Sequence, residues 1–345
     1  MRTKVRFSTF SVLFIAILFL SIFMESCQSP ASQWEINRET MANLGQKHKQ
    51  EFSDGAKTFE AEFLKDSSNL EAALATAEMN ILLYIFGYTS REETIPLAKK
   101  YFQKAQELDS SNAKVIAMSG MLNFLDYNWL EAKADLEKAI ELDPHNGSTR
   151  HWYSLYLSTM GKFDEAMAQN DSIMKFDTNG DFLIGRGSLL YFARRNEEMR
   201  VLMQEVVDSE PNVPWGYDWL GMAHVELKDY KNSIDTYFTA FELSDGTVEV
   251  GAGLGHALGL GGEYDLAKEM ADYYEEAAKD KYLPPVQRAF VHIGIGEHEK
   301  ALDLLEQAYQ ENSWFLAFMQ VEPWLDPLRD EERFKNIMKR MNFPE

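Results

Sequence analysis

Three arrangements in this sequence have residue types that could do chemistry. The run Gly251 to Gly262 (GAGLGHALGLGG) has the glycine density of a loop whose bare N–H groups cradle phosphates. Its glycines are not in GxGxxG order, no strand pattern precedes them, and no acidic ribose partner follows in a βαβ context. Asp177, Asn179 and Asp181 carry the 1-3-5 spacing of a calcium loop. Phe182 stands where that loop needs Gly, and Ser188 where it needs a bidentate Glu. The seven histidines (48, 145, 151, 224, 256, 292, 298) form no HExxH motif and no i,i+4 pair, so no zinc site is expected. No GxSxG occurs, and the one cysteine, Cys27, excludes an internal disulfide framework. The carboxylates fall at solvated helix spacings, with no pair set up as general acid and base. The expectation is a protein without catalytic residues, metal or cofactor.

Composition narrows the partners. Of 345 residues, 34 are basic and 55 acidic, a formal net charge of −21, which repels a phosphate backbone and excludes nucleic acid as a partner. At the N-terminus Arg2, Lys4 and Arg6 precede an apolar run from Phe7 to Met24, the pattern of an export signal. Such a run could also just span a bilayer as an uncleaved anchor, and ordinary secretion is a third reading. Cys27 follows immediately. The small Ser26 before it resembles the lipobox of bacterial lipoproteins, with Met24 in place of the usual Leu and Glu25 where a small or apolar residue is usual. That resemblance implies a signal peptide over 1–26, a lipidated Cys27, a tether over 27–33, and a chain held on the bacterial cell envelope facing the periplasm.

The elements that must position any site repeat every 34 residues. With Ala113 as position 1, Gly120 is at 8, Trp129 at 17, Ala132 at 20, Leu136 at 24, Ala139 at 27 and Pro144 at 32. Stepping onward gives units from Gly147, Asp181, Pro214, Val248 and Tyr282, and stepping back gives one from Leu70. The Asp181 unit needs one residue fewer between its helices, and the Leu70 unit nine more, supplied by Phe86 to Thr94. Position 8 then reads Ala77, Gly120, Ser154, Ser188, Gly221, Gly255 and Ala289. Small side chains there let two helices cross closely while larger ones at 17 and 24 fill the surrounding space. A single unit cannot bury its apolar face, so stacking supplies the core.

The spacing and the stretch LEKAIELDPHN resemble the tetratricopeptide (TPR) repeat family. YNWLEAKADLEKAIELDP, HWYSLYLSTMGKFDEA and PWLDPLRDEERF are similar to the TPR region of bacterial winged-helix, adenylate-cyclase and kinase-linked signalling proteins. The resemblance implies an all-α, right-handed TPR superhelix of about eight helical hairpins. A degenerate unit is expected over 34–69, the array over 70–315 and a C-terminal helical cap over 316–345. In TPR geometry positions 2, 5, 9, 12 and 13 of each first helix line a concave groove that takes a peptide segment of a partner protein. This marks Met121, Phe124, His151, Leu155, Phe182, Phe192, Trp215, Asp218 and Met222. Large apolar residues left exposed there would favour a binding site, whereas a tight superhelix would bury them against neighbouring helices. A membrane-anchored scaffold is therefore expected, with an assembly factor for an outer-membrane or secretion complex, or a small-molecule sensor near Trp215 and Phe182, as alternatives. The glycines of the 251–262 run, each costing about 1 kcal/mol in a helix interior, mark that unit as the expected soft joint.

Overall fold

The computed structural model describes residues 40–175 and 180–344, and all regular structure among them is helical. Helix α1 spans Gln46–Lys65. Seven hairpins follow among the described residues: α2 (Leu70–Ile85) with α3 (Arg91–Asp109), α4 (Ala113–Leu125) with α5 (Trp129–Leu142), and α6 (Gly147–Thr159) with α7 (Phe163–Ile173). Then come α8 (Gly180–Phe192) with α9 (Asn196–Ser209), α10 (Pro214–Glu226) with α11 (Tyr230–Leu243), α12 (Val248–Leu260) with α13 (Tyr264–Ala277), and α14 (Pro285–Gly294) with α15 (His298–Gln310). Two 3₁₀ turns, Trp314–Phe318 and Pro323–Leu328, lead to α16 (Glu332–Met341). Each helix packs on its successor, and first helices of neighbouring hairpins also meet, which is a solenoid.

One turn chemistry closes the hairpins. Position 15 is left-handed in six of them: Tyr127, Gly161, Arg194, Lys228, Gly262 and Gly296, with φ between 56° and 89°. The next residue's N–H then reaches back to the carbonyl five residues earlier, as Lys162 does to Leu157 at 2.8 Å and Asp229 to His224 at 2.9 Å. Position 8 is where the hairpin helices touch. A Cβ on Gly120 would stand 2.7 Å from Leu136 Cγ, and one on Gly221 would stand 2.8 Å from the Tyr237 ring.

The same markers correct the register of the Asp181 unit by one residue. Its left-handed residue is Arg194, and it is Gly187, not Ser188, that faces Met203, where a Cβ would stand 2.9 Å from Met203 Cε. The unit begins at Gly180 with a full-length hairpin, so the missing residue falls in the connection after α7. Asp177 and Asn179 of that connection lie outside the described residues, as do Cys27 and the whole 1–39 segment. The insertion in the Leu70 unit is absorbed by lengthening α2 and α3 around a short turn, with Ala98 and Ala105 still fully buried.

The glycine run is a packing device. Gly253 admits the Tyr237 ring, where a Cβ would be 2.4 Å from Cε1. Gly251 admits the Tyr274 hydroxyl. At Gly259 a Cβ would be 2.4 Å from the Gly294 backbone, so α12 and α14 cross main chain to main chain. The expected soft joint thus sits among close helix contacts that its glycines permit.

The solenoid also closes on itself. The N–H of Gly45 donates to the Asp245 carbonyl at 2.9 Å, and the Asn43 amide to the Asp245 carboxylate at 2.7 Å. Phe86 at the end of α2 stacks on Trp215 at the start of α10, with ring centroids 5.5 Å apart. Gly87 lies against Pro284.

Candidate functional site

The inner surface formed by the first helices already has an occupant. Residues 313–329 run along it, touching the first helices in chain order. At α2, Tyr84 donates to the Asn312 carbonyl at 2.7 Å, and the Trp314 indole N–H to the Ile85 carbonyl at 3.0 Å. At α4, Phe318 meets Phe124 edge-on at 6.2 Å. At α6, the Gln320 amide donates to the Thr159 carbonyl at 3.3 Å. At α8, Phe318 stacks on Phe192 at 4.8 Å with an interplanar angle of 2°, and the Tyr191 hydroxyl donates to the Glu322 carboxylate. Trp324 then lies beside Glu226 of α10, stacks on His256 of α12 at 4.3 Å, and meets Phe290 of α14 edge-on at 5.1 Å.

This strap has no amphipathic stripe because it is covered on both sides. Leu316, Ala317, Met319 and Leu328 are fully buried, as are nearly all parts of Phe318, Trp324 and Leu325. The expected cap over 316–345 therefore divides in two. Only α16 caps, laying Phe334, Ile337 and Met341 on α15 with Arg333 and Arg340 paired to Asp303 and Glu306. The Trp129 indole N–H donates to the Met341 carbonyl at 3.0 Å, tying the end of the chain to the second hairpin.

The expected groove residues divide accordingly. Phe124 and Phe192 lie directly under the strap, and Met121 and Leu155 are buried in the same core. Trp215, Met222 and His151 are half-buried, and Trp215 packs on Phe86. Phe182 does not line the inner surface. It packs toward Gly147 and Ile173 of the preceding hairpin, because the corrected register makes it position 3. Trp215 and Phe182 thus pack against different helices. Tyr191, at position 12 of the corrected unit, is the inner-surface residue that sequence reasoning missed; the one-residue register error hid it.

The interior is also acidic. Asp218 of α10 is buried, and desolvation pushes its carboxyl up to about 7. Glu249 of α12 rises to about 8, first through burial and then through Asp218 beside it. No lysine or arginine among the described residues pairs with either. The Tyr237 hydroxyl, which feels Asp218 most strongly among charged neighbours, is buried without a hydrogen-bond partner. Glu322 is pushed up to about 7 by burial, against the bonds it accepts from Tyr191 and the Trp324 N–H. His256 is held neutral, lowered to about 4 by burial, with Nδ1 2.8 Å from the Phe290 carbonyl, which makes that nitrogen the donor.

Outside this interior, Arg288 forms a two-pronged pair with Glu275 at 2.6 and 2.9 Å. The ring nitrogens of His292 face Glu297 at 2.8 Å and Glu275 at 3.5 Å. That cluster holds α13, α14 and α15 together and contains no nucleophile. Among the described residues no group of three or more His, Cys, Asp and Glu could hold a metal ion, and no helix is long and apolar enough to cross a membrane.

No protein-family model matches the sequence, and no curated protein matches it. Solved structures do match in fold. A chain of the APC/C hetero-tetramer Cut9–Hcn1 aligns with a TM-score of 0.57 at 16% identity, over 85% of this chain and 53% of that one. This chain thus spans about half the length of that relative. A tetratricopeptide repeat protein from Parabacteroides merdae aligns with a TM-score of 0.51 at 12% identity, over 77% of this chain and 100% of that one. IFIT1, solved as a monomeric mutant with Gppp-AAAA, aligns with a TM-score of 0.50 at 11% identity, over 83% and 75%. With the 34-residue hairpin period, these likenesses establish the all-helical solenoid fold of tetratricopeptide repeat proteins.

Proposed function

We propose that this chain is a protein-interaction scaffold, tethered to the bacterial envelope through a lipidated Cys27 and facing the periplasm. Its partner contributes an extended, aromatic-rich segment that binds the inner surface of the solenoid. The observation that carries this reading is the strap itself. An irregular segment lies across the first helices from Tyr84 to Phe290, held by ring stacks and by bonds to carbonyls at helix ends. A surface that seats its own segment in this way has the anchor pockets and main-chain partners that peptide recognition uses. The partner segment takes the place of part of the strap, or extends from it along Trp215 and Met222, which stay half-open.

Site-specific photo-crosslinking in the native envelope tests this. A photoreactive residue at Trp215 or Met222 is expected to trap one discrete envelope protein. The same residue at Tyr264, 61% exposed on α13, is expected not to. Crosslinks arising equally from Tyr264, or from no position, would overturn the inner-surface reading.

A further inference from the structure

We propose that the strap is a proton-linked latch: Glu322 locks it onto the inner surface as a neutral acid, and ionisation of that carboxyl loosens it. The biological meaning of the latch rests on the scaffold reading above, but its physics does not.

The strap distributes its charges unequally. It carries two carboxylates four residues apart, Glu322 and Asp326, and one arginine, Arg329. Asp326 takes both available cations. Arg194 of the turn between α8 and α9 binds it at 2.8 Å, and the Arg329 Nε binds it at 2.7 Å. Burial works to raise the Asp326 carboxyl, but these two guanidinium groups outweigh it and hold the group below the usual range. The remaining Arg329 nitrogens reach the main-chain carbonyls of Glu322 and Met319 at 2.9 and 3.3 Å.

Glu322 is left with neutral donors. From α8 it receives the Tyr191 hydroxyl, and from its own segment the Trp324 N–H at 3.0 Å. From α10 it faces Glu226, itself raised by burial, and from α11 the Tyr237 hydroxyl, whose own acidity is suppressed by burial and then by Asp218 and Glu322. From α12, His256 stacks on Trp324 and stays neutral. Among the described residues Arg329 is the one cation that acts on Glu322, and it does so from its bonds to Asp326 and the main chain. A carboxylate set among carboxylates in a desolvated interior is favoured as the neutral acid. When the strap lifts away, Glu322 meets water and regains an ordinary acidity. Lifting therefore releases a proton, so rising pH favours it.

The sign and window follow from linkage. The docked strap binds the Glu322 proton more tightly than the lifted one. Docking is strongest below the ordinary glutamate range and weakens as pH rises to about 7, where the docked group itself ionises. Above that the effect levels off. One linked proton over this window predicts a rise in strap opening of roughly tenfold to fortyfold between pH 5 and pH 7.

Hydrogen exchange of the full chain in detergent, corrected for intrinsic rates, reads this directly. Amides of 314–328 are expected to lose protection by that factor between pH 5 and pH 7. Glu322→Gln keeps an oxygen to accept from Tyr191 and is expected to flatten the dependence. Asp303→Asn, on the exposed face of α15, is expected to leave it intact. Flat protection in the native strap, or an equal fall in Glu322→Gln, would overturn the latch. No partner enters this measurement, so its failure leaves the scaffold reading standing, and failure of the crosslinking experiment leaves the latch standing.

Discussion

Replacing a buried charged residue by its neutral isostere usually weakens a protein; Asp218→Asn should strengthen this one at alkaline pH. Asp218 sits on α10, 5% exposed, with Glu249 of α12 beside it and no cation paired to either. Burial raises its carboxyl from 3.8 to about 7. A carboxyl that is harder to ionise in the folded chain contributes stability below its unfolded value and loses it as pH climbs to the folded one. A shift of about 3 units corresponds to a ceiling of roughly 4 kcal/mol forfeited by the native protein at pH 8 and above. Asparagine forfeits nothing with pH, but its buried amide costs on the order of 1–3 kcal/mol where it lacks partners. The net expectation is a variant more stable than the native chain by about 1–3 kcal/mol at pH 8.5, and equal or weaker at pH 5. Urea titrations followed by circular dichroism at both pH values measure the difference. A variant destabilised by the same amount at pH 5 and pH 8.5 would refute the assignment of an uncompensated carboxyl at this site.

Other expectations are simpler. Gly253→Ala drives a methyl group into the Tyr237 ring and should cost about 3 kcal/mol, seen as a lower urea midpoint; a neutral result would mean α12 and α11 can separate there. Lys228→Gly relieves a left-handed lysine at an exposed hairpin turn and should add about 0.5–1 kcal/mol in the same assay. Cys27→Ser should abolish incorporation of labelled fatty acid and move the chain from the membrane to the soluble fraction of the envelope. Retention in the membrane fraction would favour an uncleaved apolar anchor.

The hairpin array was legible because its cause is local. Spacing of small residues reports where two adjacent helices touch, and position 8 lies at such contacts at Gly120 and Gly221. The exception is instructive. A chain one residue short can be short in either of two turns, and only the left-handed Arg194 and the Gly187–Met203 contact decide which. The strap was not legible. Its position depends on contacts such as Tyr191–Glu322 and Ile85–Trp314, separated by 131 and 229 residues, and no period connects them. A hint was present in WFLAFMQVEPWLDP, which is apolar without helical alternation. A surface cap would bury one face only, whereas Leu316, Ala317, Phe318, Met319, Trp324 and Leu325 are all buried here.

The bond from Gly45 to Asp245 changes what kind of mechanical object the protein is. An open coil of helical hairpins extends like a spring, because pulling its ends only bends each joint slightly. Here an early turn of the coil is fastened to a late one, and the strap runs inside like a tie-rod. A load applied at residue 40 would enter at this fastening, beside residues 245–247, and spread through the closed hoop instead of peeling hairpins off one at a time. Resistance should then be high and failure abrupt, since opening the hoop removes the support of both ends together.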